Sequence, residues 1–231
     1  MTFTRVSFRP LDVRVLGVSL AAFALVTADV VSGGPLTHLD GQIRAGVQPR
    51  LPPNAAWMGI AGSLGDIGVA AAVMAIAGLV AAQIRWRFWP LLLAAGNLVA
   101  VEIMVYGVKA AVGRPGPGVE ADRTGYPGYF PSGHTATAAV ATATVVFLVL
   151  ASRWGAARLD RASTVALVAG LVVGVVAAVR SVLGDFHWAS DVLGGLAAAA
   201  IVLTLGFATA RAQAGSAVAT PTSRGERRRP P

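Results

Sequence analysis

The chain has 231 residues and a formal net charge of +8; 55% of the residues are apolar, 13% are charged and none is cysteine. A water-soluble domain carries about 25% charged residues, so the composition excludes that class and predicts a protein embedded in a bilayer. The basic residues are scattered between long apolar runs, which favours a membrane surface over nucleic acid as their partner, and the lack of cysteine excludes disulfides, thiolate metal ligands and thiol nucleophiles.

Six apolar segments reach or approach the about 20 residues that a membrane-spanning helix needs. They cover residues 14–32, 57–82, 88–112, 133–151, 162–182 and 189–210. The sequence therefore predicts an all-α, polytopic membrane protein in which residues 1–210 form one domain of six transmembrane helices. Residues 33–55 contain four prolines and are predicted to form a loop along the interface. Residues 211–231 lack apolar periodicity and are predicted to be a disordered, basic cytoplasmic tail.

The distribution of basic residues predicts the orientation. If the N-terminus is cytoplasmic, the cytoplasmic segments hold 13 of the 19 Lys and Arg residues and the other face holds 6. The positive-inside rule therefore places both termini in the cytoplasm. Arginine supplies all the basic residues except Lys109, and Ala, Gly and Val are abundant. This usage indicates a GC-rich genome, and a bacterial plasma membrane is the expected location.

Two connections carry most of the unusual polar residues. Spans three and four, and spans five and six, are joined on the same side of the membrane. One end of each of these four transmembrane helices, the third to the sixth, therefore meets the others at one face. Lys109, Arg114 and Arg180 lie there, and their charge and donor geometry match phosphate oxygens. Ser132 and Gly133 stand where the fourth span begins, and the free N–H groups of a helix start attract an anion. The sequence therefore predicts a phosphate cradle at this face.

The histidines of these connections complete a candidate catalytic set. His187 and Asp191 are four residues apart and are predicted to share a face of the sixth helix, where the carboxylate fixes the tautomer of the imidazole. The opposite ring nitrogen is then free to act as a nucleophile. His134 remains as the acid for the leaving group, because a pKa of about 6.5 suits proton transfer. These residues have other roles and form no ligand cluster, so no metal or other cofactor is expected.

Pro-Ser-Gly-His at 131–134, followed by His-x-x-x-Asp at 187–191, is the specific part of this pattern. At these residues the sequence resembles the type 2 phosphatidic acid phosphatase (PAP2) superfamily, which includes bacterial lipid phosphatases and undecaprenyl pyrophosphate phosphatases. The resemblance covers residues 100–200, and the six-span layout agrees with the membrane members of the family.

The resemblance implies a role for each matching residue. His187 would form a phosphohistidine, Asp191 would orient it, and His134 would protonate the departing alcohol or phosphate. The phosphoryl group would be held by Lys109, Ser132, Gly133 and Arg180.

The sequence departs from the family pattern at two places. In the first motif of the family, six residues separate a lysine from an Arg-Pro pair. Counted from Lys109, the position of that arginine holds Gly116, and the nearest arginine is Arg114. Either one phosphate contact is missing or Arg114 reaches in its place. The family has five residues between Arg and His of its third motif, whereas Arg180 and His187 are separated by six. In a continuous helix this would rotate Arg180 by about 100°, so a non-helical turn at Gly184 is expected to absorb the extra residue.

The expected function is a metal-independent phosphatase that acts from the outer face on a lipid phosphate or pyrophosphate. Undecaprenyl pyrophosphate, phosphatidate and phosphatidylglycerol phosphate are all compatible with the site. One alternative is a proton-coupled transporter, because Asp29, Asp66 and Glu102 lie inside predicted spans. Another is a lipid-phosphate-binding homologue whose altered arginine motifs have impaired catalysis. The sequence leaves the particular lipid and the oligomeric state open.

Overall fold

The fold consists of α-helices, as predicted. The computed structural model describes residue 6 and residues 8–47, 56–85, 88–118 and 124–218, and the regular structure of these ranges is helical throughout. The α-helices there are α1 Pro10–Ser32, α2 Pro35–Val47, α3 Ala56–Ser63, α4 Ile67–Arg85, α5 Trp89–Val112, α6 Gly133–Trp154, α7 Leu159–Leu183 and α8 Ala189–Val218. Six of them, α1 and α4 to α8, lie in segments long and apolar enough to cross a membrane, which confirms the six-span prediction.

The predicted loop at 33–55 is wrong over Pro35–Val47, which forms α2. Proline is favoured at the first position of a helix, because its missing N–H has no partner there. The next two N–H groups, of Leu36 and Thr37, donate to the carboxylate of Asp29 at 3.2 and 3.0 Å. Asp29 belongs to the last turn of α1, so a side chain from one helix caps the start of the next. Residues 48–55 lie outside the described residues.

The predicted second span is interrupted. The segment 57–82 contains the break at residues 64–66, which separates α3 from α4. Asp66 caps α4 by accepting hydrogen bonds from the N–H groups of Gly68 and Val69 at 2.9 and 3.1 Å. The apolar pattern conceals this break, because the residues on both sides of it are equally hydrophobic.

The last helix is longer than predicted. α8 continues to Val218, so the first residues of the predicted tail are helical. Residues 219–231, which contain the remaining arginines of that tail, lie outside the described residues.

α6 is the central helix of the bundle and contacts α4, α5, α7 and α8. Its spanning window is 67% buried, whereas that of α1 is only 6% buried. A helix that is apolar on all sides is expected at the centre of a bundle, and alanines along α6 let the neighbouring helices approach closely. The start of α6 is therefore fixed from several sides, and the candidate site lies there.

An ion-pair cluster fastens the bundle at the opposite end of the helices. Asp12 in the first turn of α1 pairs with Arg9 at 2.8 Å and with Arg211 of α8. Arg211 also approaches Asp160 of α7 at 3.3 Å. Charges at membrane depth are retained when they are paired, and this cluster joins the first and last spans.

The topology predicts which loops face each side. Thr124 precedes α6 and Ala157 follows it, both are exposed, and the 22-residue helix between them is about 33 Å long. Because the chain contains no cysteine, Thr124→Cys and Ala157→Cys each introduce a single thiol. With both termini cytoplasmic, an impermeant maleimide applied to intact cells labels Thr124→Cys and labels Ala157→Cys only after the membrane is opened. Labelling of both thiols in intact cells would contradict the topology.

Candidate active site

The starts of α6 and α8 are joined directly. The Ser132 N–H donates to the backbone carbonyl of Asp191 at 2.9 Å, and the Ser132 hydroxyl accepts from the Thr135 N–H at 3.4 Å as the N-cap of α6. Gly133 is the first residue of that helix. The predicted helix start at Ser132 and Gly133 is therefore confirmed, and it presents free N–H groups next to the first turn of α8.

His187 and Asp191 form the predicted pair, although His187 is not on the helix. α8 begins at Ala189, so His187 lies in the turn before it. Its Nδ1 is 3.1 Å from Oδ2 of Asp191, which also accepts from the Trp188 N–H at 3.1 Å. Because a carboxylate accepts, Nδ1 carries the proton in the neutral ring and Nε2 keeps its lone pair.

The environment of His187 favours the neutral imidazole. Burial lowers the pKa of His187 below its ordinary value, and the hydrogen bond and charge of Asp191 oppose this shift. His187 is 7% exposed and Asp191 is fully buried. The positive charges of Lys109 and Arg180 also act to lower this pKa. A neutral, oriented imidazole with a free Nε2 is suited to nucleophilic attack.

His134 lies in the first turn of α6 with its side chain exposed. It is close enough to His187, Arg180 and Lys109 for each of these charges to act on it. The structure therefore brings together both histidines and two of the predicted cations at one end of the bundle.

Lys109 is buried in the last turn of α5, where the sequence places it. Its ammonium donates to the Tyr126 hydroxyl at 2.8 Å and to the Gly128 carbonyl at 2.9 Å, and it lies 4.7 Å from the centre of the Tyr126 ring. These contacts use two of the three donors of a lysine. Tyr129 extends this group, since its ring centre is 5.5 Å from that of His187.

Arg180 is held at the end of α7. Its Nε donates to the Met58 carbonyl at 3.1 Å, and its guanidinium lies over the Phe186 ring at 4.2 Å. The bond to Met58 uses Nε, and the two terminal nitrogens carry the other N–H donors of the guanidinium. The side chain is half-buried.

The extra residue between Arg180 and His187 is absorbed by a turn, as predicted. α7 ends at Leu183, and Asp185 adopts a φ of 58°. The N–H groups of Phe186 and His187 then donate to the Ser181 carbonyl at 2.9 and 3.2 Å. The turn thus returns the chain to the end of α7, and the 100° rotation expected for a continuous helix does not arise.

Arg114, a predicted phosphate ligand, is hydrogen-bonded to protein side chains. Its Nη1 donates to Asp191 at 2.5 Å and to the Ser190 hydroxyl at 2.6 Å, and its Nη2 donates to Asp40 at 2.7 Å. All four side chains are buried. Of the two alternatives for the departure at Gly116, that one phosphate contact is missing or that Arg114 reaches in its place, these carboxylate contacts favour the first.

Sequence reasoning missed several residues around the site. Asp40 is the most important, because it brings α2 into contact with the start of α8. The available signal was its position four residues before Arg44, which places both side chains on one face of a short helix. Arg44 binds Asp185 through two bonds of 2.7 and 2.9 Å. Tyr126 and Tyr129 precede the Pro-Ser-Gly-His motif, and Ser190 occupies one of the unspecified positions inside His-x-x-x-Asp.

The fold and the site together define a multi-pass membrane protein with a histidine–aspartate pair next to a cationic, phosphate-compatible helix start. Residues 90–214 match the PAP2 superfamily. This match covers more than half of the chain, and the protein belongs to the PAP2 superfamily.

A comparison of structures agrees with this assignment. The fold is similar to the crystal structure of a transmembrane PAP2-type phosphatidylglycerolphosphate phosphatase from Bacillus subtilis, with a TM-score of 0.64 and 17% sequence identity. The similarity covers 91% of this chain and 98% of that one. No curated protein matches the chain in sequence.

The contact between the α3–α4 break and His134 gives a testable prediction. A Cβ atom on Gly65 would lie 2.4 Å from the backbone oxygen of His134, so Gly65→Ala forces α6 and the break apart. Overpacking of this kind costs about 1–3 kcal/mol, and we expect a lower Tm in detergent. Gly59→Ala in α3 is the matched control, since nothing lies within 4 Å of its Cβ position. An equal Tm for both variants would contradict the close approach.

Proposed function

We propose that this protein is a metal-independent phosphatase of the bacterial plasma membrane that hydrolyses a lipid phosphate or pyrophosphate at the outer face. The observation that carries the proposal is the His187–Asp191 pair, whose geometry uses Nδ1 and leaves the lone pair on Nε2, within electrostatic reach of Lys109 and Arg180. Undecaprenyl pyrophosphate, phosphatidate and phosphatidylglycerol phosphate are the candidate substrates. The last of these is the substrate class in the name of the Bacillus subtilis protein with a similar fold.

In the first step, Nε2 of His187 attacks phosphorus and a P–N bond forms. The P–O bond to the lipid alcohol of a phosphate monoester breaks at the same phosphorus; in a lipid pyrophosphate the terminal phosphorus is attacked, its bond to the bridging oxygen breaks, and the lipid monophosphate leaves. His134 in its protonated form donates its proton to the departing oxygen. Asp191 stabilises the positive charge that develops on the phosphorylated ring through its hydrogen bond to Nδ1.

In the second step, a water molecule attacks the phosphohistidine. His134, now neutral, accepts the proton of that water, and the P–N bond breaks with its electron pair returning to Nε2. Inorganic phosphate is released, and both histidines regain their initial protonation states. One residue thus acts as acid and then as base, as microscopic reversibility requires for a two-step displacement.

The remaining residues act on the phosphoryl oxygens. Lys109, Arg180 and the N–H groups that follow Ser132 supply positive charge and donors at a fixed position. Phosphoryl transfer spreads charge over these oxygens in the transition state, so positioned donors lower the barrier. The site lies at the ends of apolar helices, which suits a substrate whose tail stays in the bilayer.

The transporter alternative loses its motivation. Asp29 and Asp66 cap helices, and Glu102 accepts a hydrogen bond from Thr137 at 2.7 Å. The impaired homologue is the second candidate, and the carboxylate contacts of Arg114 favour it, because the arginine expected at Gly116 then has no replacement there.

Phosphate release from the detergent-purified protein separates these candidates. We expect hydrolysis of dioctanoyl phosphatidate in the presence of EDTA, and loss of at least about 10³-fold in kcat for His187→Ala, since the nucleophile is removed. Asp191→Asn is expected to lower kcat by up to about 10⁴-fold, because the tautomer is no longer fixed. His38→Ala is the control, since this third histidine is exposed on α2. Lipid-phosphate binding without hydrolysis by the wild type would favour the impaired homologue.

His134→Ala tests the assignment of the general acid. Loss of an acid lowers the rate by about 10²–10⁴-fold when the leaving group needs a proton. We therefore expect a large loss on the phosphatidate and a much smaller loss on p-nitrophenyl phosphate, whose leaving group departs as an anion. An equal loss on both substrates would contradict this role for His134.

The pH profile tests the state of His187. Because burial lowers the pKa of His187, the ring stays neutral at pH values below the ordinary pKa of histidine. After correction for the ionisation of the substrate, the acid limb of kcat/KM should have its midpoint below about pH 6.5. A midpoint above that value would show that the attacking group is not a buried histidine.

A further inference from the structure

Asp40 is a buried carboxylate in a part of the chain that no motif covers. It lies on α2, outside the residues 90–214 that match the family, and is 3% exposed. Its two oxygens accept from Arg114 Nη2 at 2.7 Å, from the Ser190 hydroxyl at 2.5 Å and from the Ser190 N–H at 2.9 Å. A buried carboxylate with one partner is expensive, whereas three donors offset its desolvation.

These bonds place Asp40 at the start of α8. Ser190 is the second residue of that helix, and its N–H is one of those that the helix itself leaves without an acceptor. Asp40 therefore caps α8 from another helix, directly next to Asp191. The position of the Asp191 backbone, and hence of its bond to His187, depends on this cap.

Asp40 and Asp191 share the guanidinium of Arg114. Arg114 contacts Asp191 at 2.5 Å with one terminal nitrogen and Asp40 at 2.7 Å with the other. Two carboxylates and one guanidinium leave a net charge of one negative unit. With Asp40 neutral, Arg114 would cancel the charge of Asp191, and the phosphorylated imidazole would lose its counter-charge.

The other charged groups around His187 make this balance important. Lys109 of α5 and Arg180 of α7 act on the ring with positive charge. His134 of α6 lies within electrostatic reach, and its protonated form adds a further positive charge. Asp191 is the acidic group in contact with the ring, so a second carboxylate is needed to balance Arg114.

We propose that Asp40 is a positioning residue of the phosphoryl-transfer site, which caps α8 and shares Arg114 so that Asp191 keeps a net negative charge toward His187. This inference rests on the proposed function. It gives α2 an indirect part in the reaction, through Arg114 and the start of α8.

A charge-swap series tests the inference. Asp40→Asn changes the net charge of the group from one negative unit to zero, Arg114→Gln changes it to two negative units, and the double variant restores one negative unit. The acid midpoint of kcat/KM should therefore move down by about one pH unit in Asp40→Asn, up in Arg114→Gln, and return close to wild type in the double variant. The kcat of Asp40→Asn should fall about 10–100-fold with little change in KM.

Asp185→Asn is the matched control. It is the same substitution in the other carboxylate that joins α2 to this region, since Asp185 binds Arg44. Asparagine tolerates the positive φ of this position. If Asp40 served only to dock α2, both variants would lose activity alike with an unchanged midpoint. We expect the midpoint of Asp185→Asn to stay within about 0.3 pH units of wild type, because this pair is partly exposed and screened.

The outcomes separate the two proposals. A wild type without hydrolysis would refute the phosphatase activity, and an active His187→Ala would refute His187 as the nucleophile. An active wild type with a double variant that is worse than both single variants, and with midpoints unmoved, would overturn the role of Asp40. If Asp40→Asn does not fold, Arg114→Gln and the double variant carry the same test, because they differ only at Asp40. Folding is checked for each variant by size-exclusion chromatography and Tm.

Discussion

A charge at the end of an apolar helix, away from bulk water, must be paired, and this constraint shapes the whole site. Asp191 is fully buried and is surrounded by donors from three directions: the imidazole of His187, the guanidinium of Arg114 and the N–H of Trp188. His187 and Trp188 belong to the turn before α8, whereas Arg114 follows the end of α5, so the end of α5 and the start of α8 must lie at one level. The convergence of helix ends is the structural means by which a membrane protein supplies polar groups without exposing them to lipid.

Caps from neighbouring helices recur in this fold. Asp29 of α1 caps α2, and Asp40 of α2 caps α8. Ser132 caps α6 with its hydroxyl, and its N–H donates to the backbone carbonyl of Asp191. Each cap satisfies N–H groups that a helix start leaves without acceptors. The same bonds set the order of the elements around the site, so that α1 positions α2, and α2 positions α8, which carries Asp191.

The sequence predicts the spans and the contact between His187 and Asp191 well, because both signals are local. Apolar length identifies a spanning helix, and a spacing of four brings His187 to Asp191 even though the helix begins after His187. The failures arise where one element depends on another. α2 is hidden because its cap comes from Asp29, the break before α4 because the apolar pattern continues across it, and the contact of Arg114 with Asp40 because its partners are 74 residues apart.

The break between α3 and α4 has a consequence for how the chain assembles. Met58 in α3 holds Arg180, and Gly65 in the break touches the backbone of His134, so the first 66 residues contribute scaffolding to a site whose motif residues all come later. A fragment trimmed to residues 90–214 would retain both histidines and the aspartate, yet it would lack the carbonyl, the cap and the close backbone contact that immobilise them. The smallest part of this protein that can hold the site together is therefore larger than residues 90–214, the region that matches the family, and it includes the N-terminal helices.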